Sequence, residues 1–443
     1  MTRTLDRESI STKQQKIADL ARGAPEMVLL TLAHHIDLMW LEEAYRRTRK
    51  DGAVGVDGVT AAEYEERLHE NLSDLLERFK SGRYRAPPVR RVHIPKDGTK
   101  GKTRPIGIPT LEDKVLQRAV LMVLEPVYEQ DFLDCSYGFR PGRSAHQALD
   151  ALWKGVMGIG GGWVIDLDIR SFFDSMDRTH LNTFLDQRVR DGVIRRVLGK
   201  WMHAGVMEDG AISYPERGSP QGGVISPLVS NLYLHEVLDT WFEREVKPRL
   251  RGRAFMVRFA DDGLLAFERE DDAQRVMDVL PKRFARFGLT LHPEKTRLVD
   301  FRSPPLAEGK HGSQRERSFD LLGFTHYWGR SRKERWVVRR KTAKNRLSRA
   351  LRQIGQWCRR NRHRPVAEQQ KVLSRKLQGH AAYYGITGNA PALSRFRLEV
   401  QRRWRKWLNR RSHAARLGWP AFNRLLKRYP LPPMRVVHSI YAT

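Results

Sequence analysis

The sequence predicts an α+β protein in which a mixed body precedes an all-α basic domain. Strand-like segments alternate with helical ones as far as about residue 329, and helical spacing of apolar residues prevails after it. The charge divides at the same place, because residues 330–443 hold 31 Lys or Arg against three acids while the rest of the chain holds 50 against 48. With 443 residues, 40% of them hydrophobic, the chain is long enough for two or three domains with cores of their own.

The cysteines and the apolar runs exclude several protein classes. The only two cysteines, Cys135 and Cys358, lie far apart, which excludes a disulfide scaffold and fits a reducing cytosol. Without a C-x-x-C pair, a zinc-bound nuclease module is not expected. No apolar run reaches the length of a membrane helix or a signal peptide. We therefore expect a soluble, cytoplasmic protein without a membrane partner.

The first half of the chain divides into helices and one hairpin. Residues 1–75 have helical spacing, interrupted by a loop at DGAVGVDGVT, residues 51–60. Prolines and β-branched residues in 83–110 predict a two-stranded hairpin with the basic tip KDGTKGK. Residues 112–129 predict a helix.

The centre of the chain alternates strands with helices. WVIDLDI, residues 163–169, predicts a strand, and a helix begins near 171–177. Residues 218–242 combine a glycine-rich turn with a long helix, and 271–288 predict another helix. LTLHPEKTRLV and FDLLGF supply strand pieces, and residues 303–317 are the best linker candidate.

The segment MVRFADDGLLAF, residues 256–267, places two adjacent aspartates, Asp261 and Asp262, between apolar runs. Met256–Ala260 and Leu264–Phe267 predict two short strands, and Asp-Gly between such strands is typical of a hairpin turn. These residues alone leave two interpretations open: the aspartates only form the turn, or they also carry chemistry.

A second acidic strand favours chemistry. WVIDLDIRSFFDSMD places Asp166 and Asp168 on one face of the predicted strand, because strand side chains alternate. A carboxylate among apolar residues is costly to bury unless it is paired or holds a metal ion. With the hairpin aspartates it forms a candidate site for two Mg²⁺ ions about 3.5–4 Å apart, which would activate a 3′-hydroxyl and neutralise a leaving pyrophosphate. Asp168 taken alone fits a helix cap or a surface acid equally well.

The ordered motifs of the chain are similar to those of group II intron reverse transcriptases and maturases. The similarity extends over nearly the whole length, with a basic helical region at the end. The motifs, in order, are VGVDGVT, RPIGIPTLEDKVLQ, CSYGFRPGRSAHQAL, DIRSFFD, SPQGGVISPLVSNLYLH, RFADD, GLTLHPEKTR and FDLLGF.

The resemblance implies a right-hand polymerase with an antiparallel palm sheet. It implies an N-terminal helical extension over 1–75, fingers and palm over 76–325, a thumb and maturase-specific domain over 326–400, and a basic DNA-binding-like segment over 401–443. It implies that Asp168, Asp261 and Asp262, with the backbone carbonyl of Ile169, hold two Mg²⁺ ions, for which Mn²⁺ is an alternative. Asp166 stands at a variable position of the family pattern and is expected to support these ligands at most.

The resemblance also implies a nucleotide pocket. Phe173 matches a steric gate that rejects a 2′-hydroxyl, with a core aromatic ring as the competing interpretation and Phe172 as the better candidate for the core. Lys96 and Arg104 match finger residues that clamp the triphosphate of the dNTP, and a solvated hairpin is the alternative. Gln221 of SPQGG would face the nucleotide.

Contacts with template and primer follow from the same resemblance. Arg140 and Arg143 are expected on the template backbone. Leu322, Gly323 and Phe324 match a loop that positions the primer end. In RLEVQRRWRKWLNRR the tryptophans Trp404 and Trp407 are expected to pack inward while the basic face meets phosphate.

The function that the resemblance implies is an RNA-directed DNA polymerase with maturase activity. It would bind a structured RNA, its own intron, help that RNA to fold and splice, and copy RNA into DNA from a primer at the target site. The alternatives are a related polymerase in host defence or repair, and a splicing maturase without polymerase activity. The chain departs from the family pattern at Phe259, where Tyr is usual, and in carrying no His- and Cys-rich endonuclease motif. Second-strand cleavage would then come from elsewhere, or priming would use an existing DNA end.

Overall fold

The chain forms two units in the computed structural model, which describes residues 2–95, 103–208, 210–214, 222–304, 317–331, 333–412 and 416–439. The first unit comprises Met1–Ala148 and Val164–Leu298. The second comprises Leu149–Trp163 and Val299–Thr443. The chain therefore leaves the first unit after residue 148 and returns to it at residue 164, within the predicted strand of residues 163–169.

Helices predominate at both ends of the chain. The α-helices are α1 Thr2–Gly23, α2 Leu38–Arg47, α3 Ala61–Glu65, α4 Leu68–Ser81, α5 Leu111–Tyr128, α6 Ala145–Gly158, α7 Phe172–Ser175, α8 Arg178–Asp186, α9 Gly192–Met202, α10 Ser226–Leu234, α11 Glu270–Arg286, α12 Lys344–Arg360, α13 Val366–Tyr384, α14 Ala390–Leu408 and α15 Trp419–Arg428. Ala33–His35 and Lys247–Arg249 are 3₁₀ turns, and His235–Asp239 and Trp241–Val246 are π-helical.

The strands form three sheets. They are β1 Val89–Pro95, β2 Thr103–Ile108, β3 Trp163–Leu167, β4 Val206–Glu208, β5 Ala211–Ser213, β6 Ala254–Phe259, β7 Asp262–Phe267, β8 Arg297–Asp300, β9 Ser318–Leu321, β10 Phe324–Arg330 and β11 Trp336–Thr342. The orders are β2-β1-β4-β5, β6-β7-β3-β8 and β11-β10-β9. The mixed α+β class with antiparallel sheets is confirmed.

Side-chain caps explain where the N-terminal helices begin. Asp37 accepts a hydrogen bond from the Trp40 N–H at 2.9 Å, and Thr60 forms a reciprocal capping box with Glu63. Thr110 likewise caps α5. The predicted helices over 1–75 and 112–129 are confirmed, as is the loop between α2 and α3.

The predicted hairpin over 83–110 is confirmed. β1 pairs with β2 antiparallel, and the last pair is Pro95 with Thr103. The predicted basic tip, with Lys96, lies outside the described residues. On its other side β1 pairs with β4 in parallel from Val89 opposite Val206.

The hairpin β6–β7 is confirmed, but its turn lies two residues earlier than the Asp-Gly signal predicted. Phe259 pairs with Asp262, so Ala260 and Asp261 form the turn while Asp262 and Gly263 already belong to β7. The prediction placed the turn at Asp-Gly because glycine tolerates any φ. Ala260 adopts the left-handed conformation instead, with φ at 57°.

The region after residue 329 is not all-α, contrary to the prediction. β10 continues to Arg330 and pairs with β11 antiparallel over seven residue pairs. In β11 the side chains of Val338, Arg340 and Thr342 are buried, and Arg339 and Lys341 between them are exposed. Because two of the three inward positions are polar, the alternation of apolar residues that marks a strand is hidden in the sequence.

The helices of the second unit pack around one apolar core. Trp404 is fully buried there, and its indole N–H donates to Gln369 Oε1 at 2.9 Å. The inward packing predicted for Trp404 is confirmed. The buried members of the core are Leu351, Ile354, Cys358, Leu373, Leu377, Phe396, Val400, Trp404, Leu408, Phe422 and Leu431.

Within the described part of the chain, no helix has both the length and the apolar character needed to cross a bilayer.

Candidate active site

Two acidic side chains stand at the tip of the β6–β7 hairpin. Asp261 is the second turn residue and is half-buried, and Asp262 is the exposed first residue of β7. Residues 263–267 of β7 are buried, so the hairpin is rooted in the core of the first unit. The two acids therefore lie at the turn that joins the largely apolar strands β6 and β7.

The tip is held by close backbone packing. A Cβ on Gly138 would lie 2.2 Å from the Ala260 nitrogen, so only glycine allows this approach. Asn231 donates to the Gly138 carbonyl at 2.7 Å. The neighbouring Phe139 has φ at 59° and is 61% exposed, and its ring lies 6.5 Å from that of Phe259.

A buried ion pair between Arg258 and Asp239 lies next to the same hairpin tip. The guanidinium of Arg258, 0% exposed, donates to both carboxylate oxygens of Asp239, to Asn231 Oδ1 at 3.0 Å and to the Ala260 carbonyl at 2.9 Å. Burial alone would lower the pKa of Arg258, but the Asp239 carboxylate outweighs it and the pKa is raised. Asp239 ends a π-helical stretch, a feature frequent at functional sites.

Asp168 directly follows β3 and is held through its backbone and its side chain. Its carbonyl accepts the His292 N–H at 2.8 Å, and Thr296 Oγ1 bonds to the same carbonyl. The Lys295 ammonium lies 3.0 and 2.8 Å from the two carboxylate oxygens. Ile169, 7% exposed, forms an antiparallel bridge with Leu291. The carboxylate of Asp168 thus already binds a cation, a lysine of the same unit.

β3 and β7 are neighbours in their sheet, so the two acidic segments lie on adjacent strands. A Cβ on Gly263 would lie 3.6 Å from Leu167 Cδ2, in ordinary contact. Leu167 directly precedes Asp168, and Gly263 directly follows Asp262. The sequence-predicted acids therefore project from the same region of one sheet. In the described residues no three acidic, His or Cys groups are close enough together to enclose a metal ion.

Asp166 is held apart from this group. Its carboxylate lies 3.4 Å from the Arg297 guanidinium on β8. Asp177 caps α8 through the N–H groups of Thr179 and His180.

The predicted nucleotide-binding residues are divided. Phe172 is 3% exposed in the core and Phe173 is half-buried beside it, with ring centroids 5.4 Å apart. Arg104 is exposed on β2 opposite Ile94. Lys96 and Gln221 lie outside the described residues.

The loop that follows Gln221 is held by a buried polar network. A Cβ on Gly222 would lie 2.3 Å from the Gly107 carbonyl, and Gln117 Oε1 accepts the Ile225 N–H at 3.3 Å. Gln117 in turn donates to Asp113, whose carboxylate also accepts from Tyr84 and Trp201. Burial raises the pKa of Asp113 to about 6 against these donors.

The two arginines expected on the template differ in exposure. Arg140 is 7% exposed, and its guanidinium bonds to Glu129 and to the carbonyls of Leu133 and Ser136. Arg143 is half-buried, paired with Asp134 and stacked over Tyr137. Arg140 therefore stabilises the loop after α5. Of the two arginines, Arg143 is the more exposed to solvent.

In the second unit, Leu322 and Gly323 form the turn between β9 and β10. Both have positive φ, 50° and 79°, and Phe324 is fully buried beside them. Tyr383 donates to the Leu322 carbonyl at 2.8 Å, and the Ala343 N–H donates to that of Gly323 at 2.9 Å. The predicted primer loop is thus a rigid two-residue turn.

Comparison with known proteins decides the family. The profile of the reverse transcriptase (RNA-dependent DNA polymerase) family matches residues 94–326, more than half of the chain. The chain belongs to the reverse transcriptase family. Enzymes of this family use divalent metal ions, and Asp168, Asp261 and Asp262 lie within the matched residues.

Curated relatives of this reverse transcriptase include intron-encoded proteins. It is 39% identical to protein YkfC of Escherichia coli over 55% of this chain and 65% of that protein. It is 35% identical to group II intron-encoded protein LtrA of Lactococcus lactis over 48% of this chain and 37% of LtrA, and 27% identical to nuclear intron maturase 2 of Arabidopsis thaliana. The match spans less than two thirds of the length of these relatives. The group II intron resemblance predicted from the motifs is confirmed.

Sequence reasoning missed several residues of this site. Lys295 lies in the family motif GLTLHPEKTR, for which the sequence predicts strand structure but no role of this lysine, and Arg258 precedes the acids in RFADD. The partners of Arg258, Asp239 and Asn231, are 19 and 27 residues away along the chain, beyond what a local pattern reveals. A signal for Arg258 did exist, since a lone arginine inside an apolar strand must be paired when it is buried.

Proposed function

We propose that the chain is an RNA-directed DNA polymerase of right-hand architecture that also binds and helps to fold a group II intron RNA. One observation carries the polymerase part: the acids of two adjacent strands, Asp168 on one side and Asp261 and Asp262 on the other, stand at one region of an apolar sheet. The family and the intron-encoded relatives support the same function.

Asp168, Asp261 and Asp262, with the Ile169 carbonyl, would hold two Mg²⁺ ions. Hard oxygen donors suit Mg²⁺, and the Lys295 ammonium on Asp168 is evidence that this carboxylate accepts a cation. When bound, the ions supply an activated 3′-hydroxyl and stabilise the pyrophosphate charge. Because the Lys295 ammonium contacts both carboxylate oxygens of Asp168, Lys295 and an ion would share that carboxylate.

Phe173, Arg104, Lys96 and Gln221 would form the nucleotide pocket. The half-buried Phe173 ring is fixed from behind by buried Phe172, as a steric gate against a 2′-hydroxyl requires. Exposed Arg104 has its donors available for triphosphate. The network from Asp113 through Gln117 holds the backbone beside Gln221 in place.

The basic last quarter would act as thumb and maturase domain. Its excess of lysine and arginine favours a polyanionic partner. Leu322, Gly323 and Phe324 would present a rigid turn to the primer end. Arg143 is proposed for the template backbone, while Arg140 supports its loop.

The test is primer extension on an RNA template with dNTPs and Mg²⁺. Asp261→Ala is compared with wild type and with Asp278→Ala, which removes an exposed acid from α11. We expect extension by wild type and Asp278→Ala, and a loss of at least about 10³-fold in Asp261→Ala, because the acid acts with its neighbours as a unit.

Two results would change the proposal. Equal extension by Asp261→Ala would place the chemistry elsewhere. A folded wild-type protein that binds RNA and extends no primer would be a splicing maturase, and the polymerase proposal would fail.

A further inference from the structure

A groove runs between α12 and α14 of the second unit. Its volume is about 470 Å³, within the range of sites that hold a ligand. Its lining is made by Leu351, Arg352, Gly355, Gln356, Arg359, Arg402, Arg403, Lys406 and Trp407.

The charge in this groove is of one sign. Five of the nine lining residues are Lys or Arg and none is acidic. Glu399 pairs with Arg402 and Arg403, whereas Arg352, Arg359 and Lys406 have no carboxylate partner in the described part of the chain. Unpaired like charges around one concave surface repel one another, so the groove is suited to an anionic ligand.

Trp407 gives the groove an aromatic wall. It is half-buried, unlike Trp404 one helical turn earlier, which is fully buried. The cationic groups of Arg359, Lys406 and Arg410 lie 5.8, 5.7 and 5.4 Å from its ring centroid. The inward packing predicted for both tryptophans is thus complete for Trp404 and only partial for Trp407. A flat ring beside phosphate-binding cations is the arrangement that unpaired bases use.

Gly355 keeps the groove open. It lies in the middle of α12, where glycine destabilises a helix by about 0.5–1 kcal/mol relative to alanine. A Cβ at this position would lie 3.6 Å from Arg403 Cδ, an ordinary contact, so packing does not require glycine. Its absent side chain does leave space in the lining, which is what a ligand needs.

We propose that this groove binds an unpaired segment of RNA, with one base against Trp407 and the adjacent phosphates on Arg352, Arg359 and Lys406. The inference rests on the proposed RNA binding of the basic quarter and specifies its site and ligand. An unpaired strand is required because bases inside a duplex are stacked on each other and do not reach a side-chain ring.

The test measures binding of a labelled 12-nucleotide oligo(U) RNA to the full chain by fluorescence anisotropy at one salt concentration. Trp407→Leu keeps apolar volume and removes the ring, Trp407→Phe keeps a ring, and Gly355→Leu fills the groove while Trp407 stays. Arg352→Ala/Arg359→Ala removes two groove cations. The control, Arg424→Ala/Lys427→Ala, removes two exposed cations from α15, outside the groove.

We expect Trp407→Leu and Gly355→Leu to weaken oligo(U) binding by about five-fold or more, the lower end of the stacking of one base. Trp407→Phe should bind nearly as wild type does. The arginine pair should matter more than the α15 pair. An oligomer of the same length without bases should bind wild type and Trp407→Leu equally. Thermal unfolding of every variant separates these effects from misfolding.

Several outcomes would overturn the proposal. Equal losses in the groove and α15 pairs, with wild-type binding by Trp407→Leu, would indicate non-specific charge attraction only. Equal losses for oligo(U) and for an RNA duplex would indicate a duplex surface. Binding of phosphatidylglycerol vesicles that depends on Trp407, without RNA dependence, would indicate a lipid site. If wild type binds no RNA of any kind, the proposed function itself fails, which is a different result.

Discussion

At the scale of single residues, the candidate site is defined by how its charges are balanced. Asp168 is paired with Lys295, and the hairpin acids lie at the hairpin tip, Asp261 half-buried in the turn and Asp262 exposed at the start of β7. Both partners of the Lys295 pair are substantially exposed, so the pair contributes little to stability, about 0–1 kcal/mol. The consequence of the pair is that the Lys295 ammonium would compete with a metal ion for the Asp168 carboxylate.

We expect Lys295→Met to bind Mg²⁺ more tightly than wild type does, because the ammonium and the ion compete for one carboxylate. Ligand that binds only the folded state raises the unfolding temperature, so that temperature should rise more steeply with Mg²⁺ concentration in the variant. The control is Lys282→Met, an exposed lysine of α11. An unchanged Mg²⁺ dependence in Lys295→Met would show that Lys295 and the metal do not share Asp168.

At the scale of elements, the β6–β7 hairpin that carries Asp261 and Asp262 packs on one buried ion pair. Arg258 and Asp239 are both fully buried, and the arginine also binds the Ala260 carbonyl in the turn. Removal of one partner leaves an uncompensated charge in the core, which typically costs about 3–5 kcal/mol. Replacement of both by apolar residues avoids that cost.

Arg258→Met should therefore lower the free energy of unfolding by about 3–5 kcal/mol, and Arg258→Met/Asp239→Leu should recover much of it. Primer extension should stay low in the double variant, because the turn carbonyl has lost its donor. Denaturant unfolding at equilibrium measures the first effect. A single variant as stable as wild type would contradict the buried charge pair.

The sequence predicted those elements whose signal is local. Helices with caps, such as α5 behind Thr110, and the hairpin of β1 and β2 follow from neighbouring residues. The turn at Ala260 could not be predicted, because its left-handed backbone packs against Gly138, which is distant in sequence, and Arg258 beside it is held by Asp239, 19 residues away. β11 was missed because Arg340 and Thr342 take its inward positions.

The sequence likewise predicted only part of the candidate active site. The acids belong to recognisable motifs, and the structure brings their strands together in one sheet. Lys295 and Asp239 carry no local signal, since their roles arise only from the partners that the fold supplies. The motifs thus identify the candidate ligand-binding acids. The residues that pair with or position the motif residues, such as Lys295 and Asp239, are found only from the structure.

At the scale of the whole molecule, the net charge is distributed unevenly along the chain. The first 329 residues carry nearly equal numbers of acidic and basic side chains, and almost all of the net charge of +30 lies in residues 330–443. A polymerase active site needs its acids for cations, which a strongly positive field around it would oppose. Under the proposed function, the acids of residues 168–262 would bind cations and the basic residues of 330–443 would bind RNA.

The salt dependence of RNA binding tests this division. Each phosphate contact releases counterions, so the slope of log K against log salt is about −0.7 for each contact with a single strand. Arg359→Ala/Lys406→Ala should make the slope for oligo(U) less steep by about one unit or more. Arg67→Ala/Lys282→Ala, exposed cations of the first unit, should leave the slope unchanged. Equal changes in slope for the two pairs would mean that RNA binds non-specifically over the whole protein surface. The basic residues 330–443 would then contribute charge but no defined RNA-binding site.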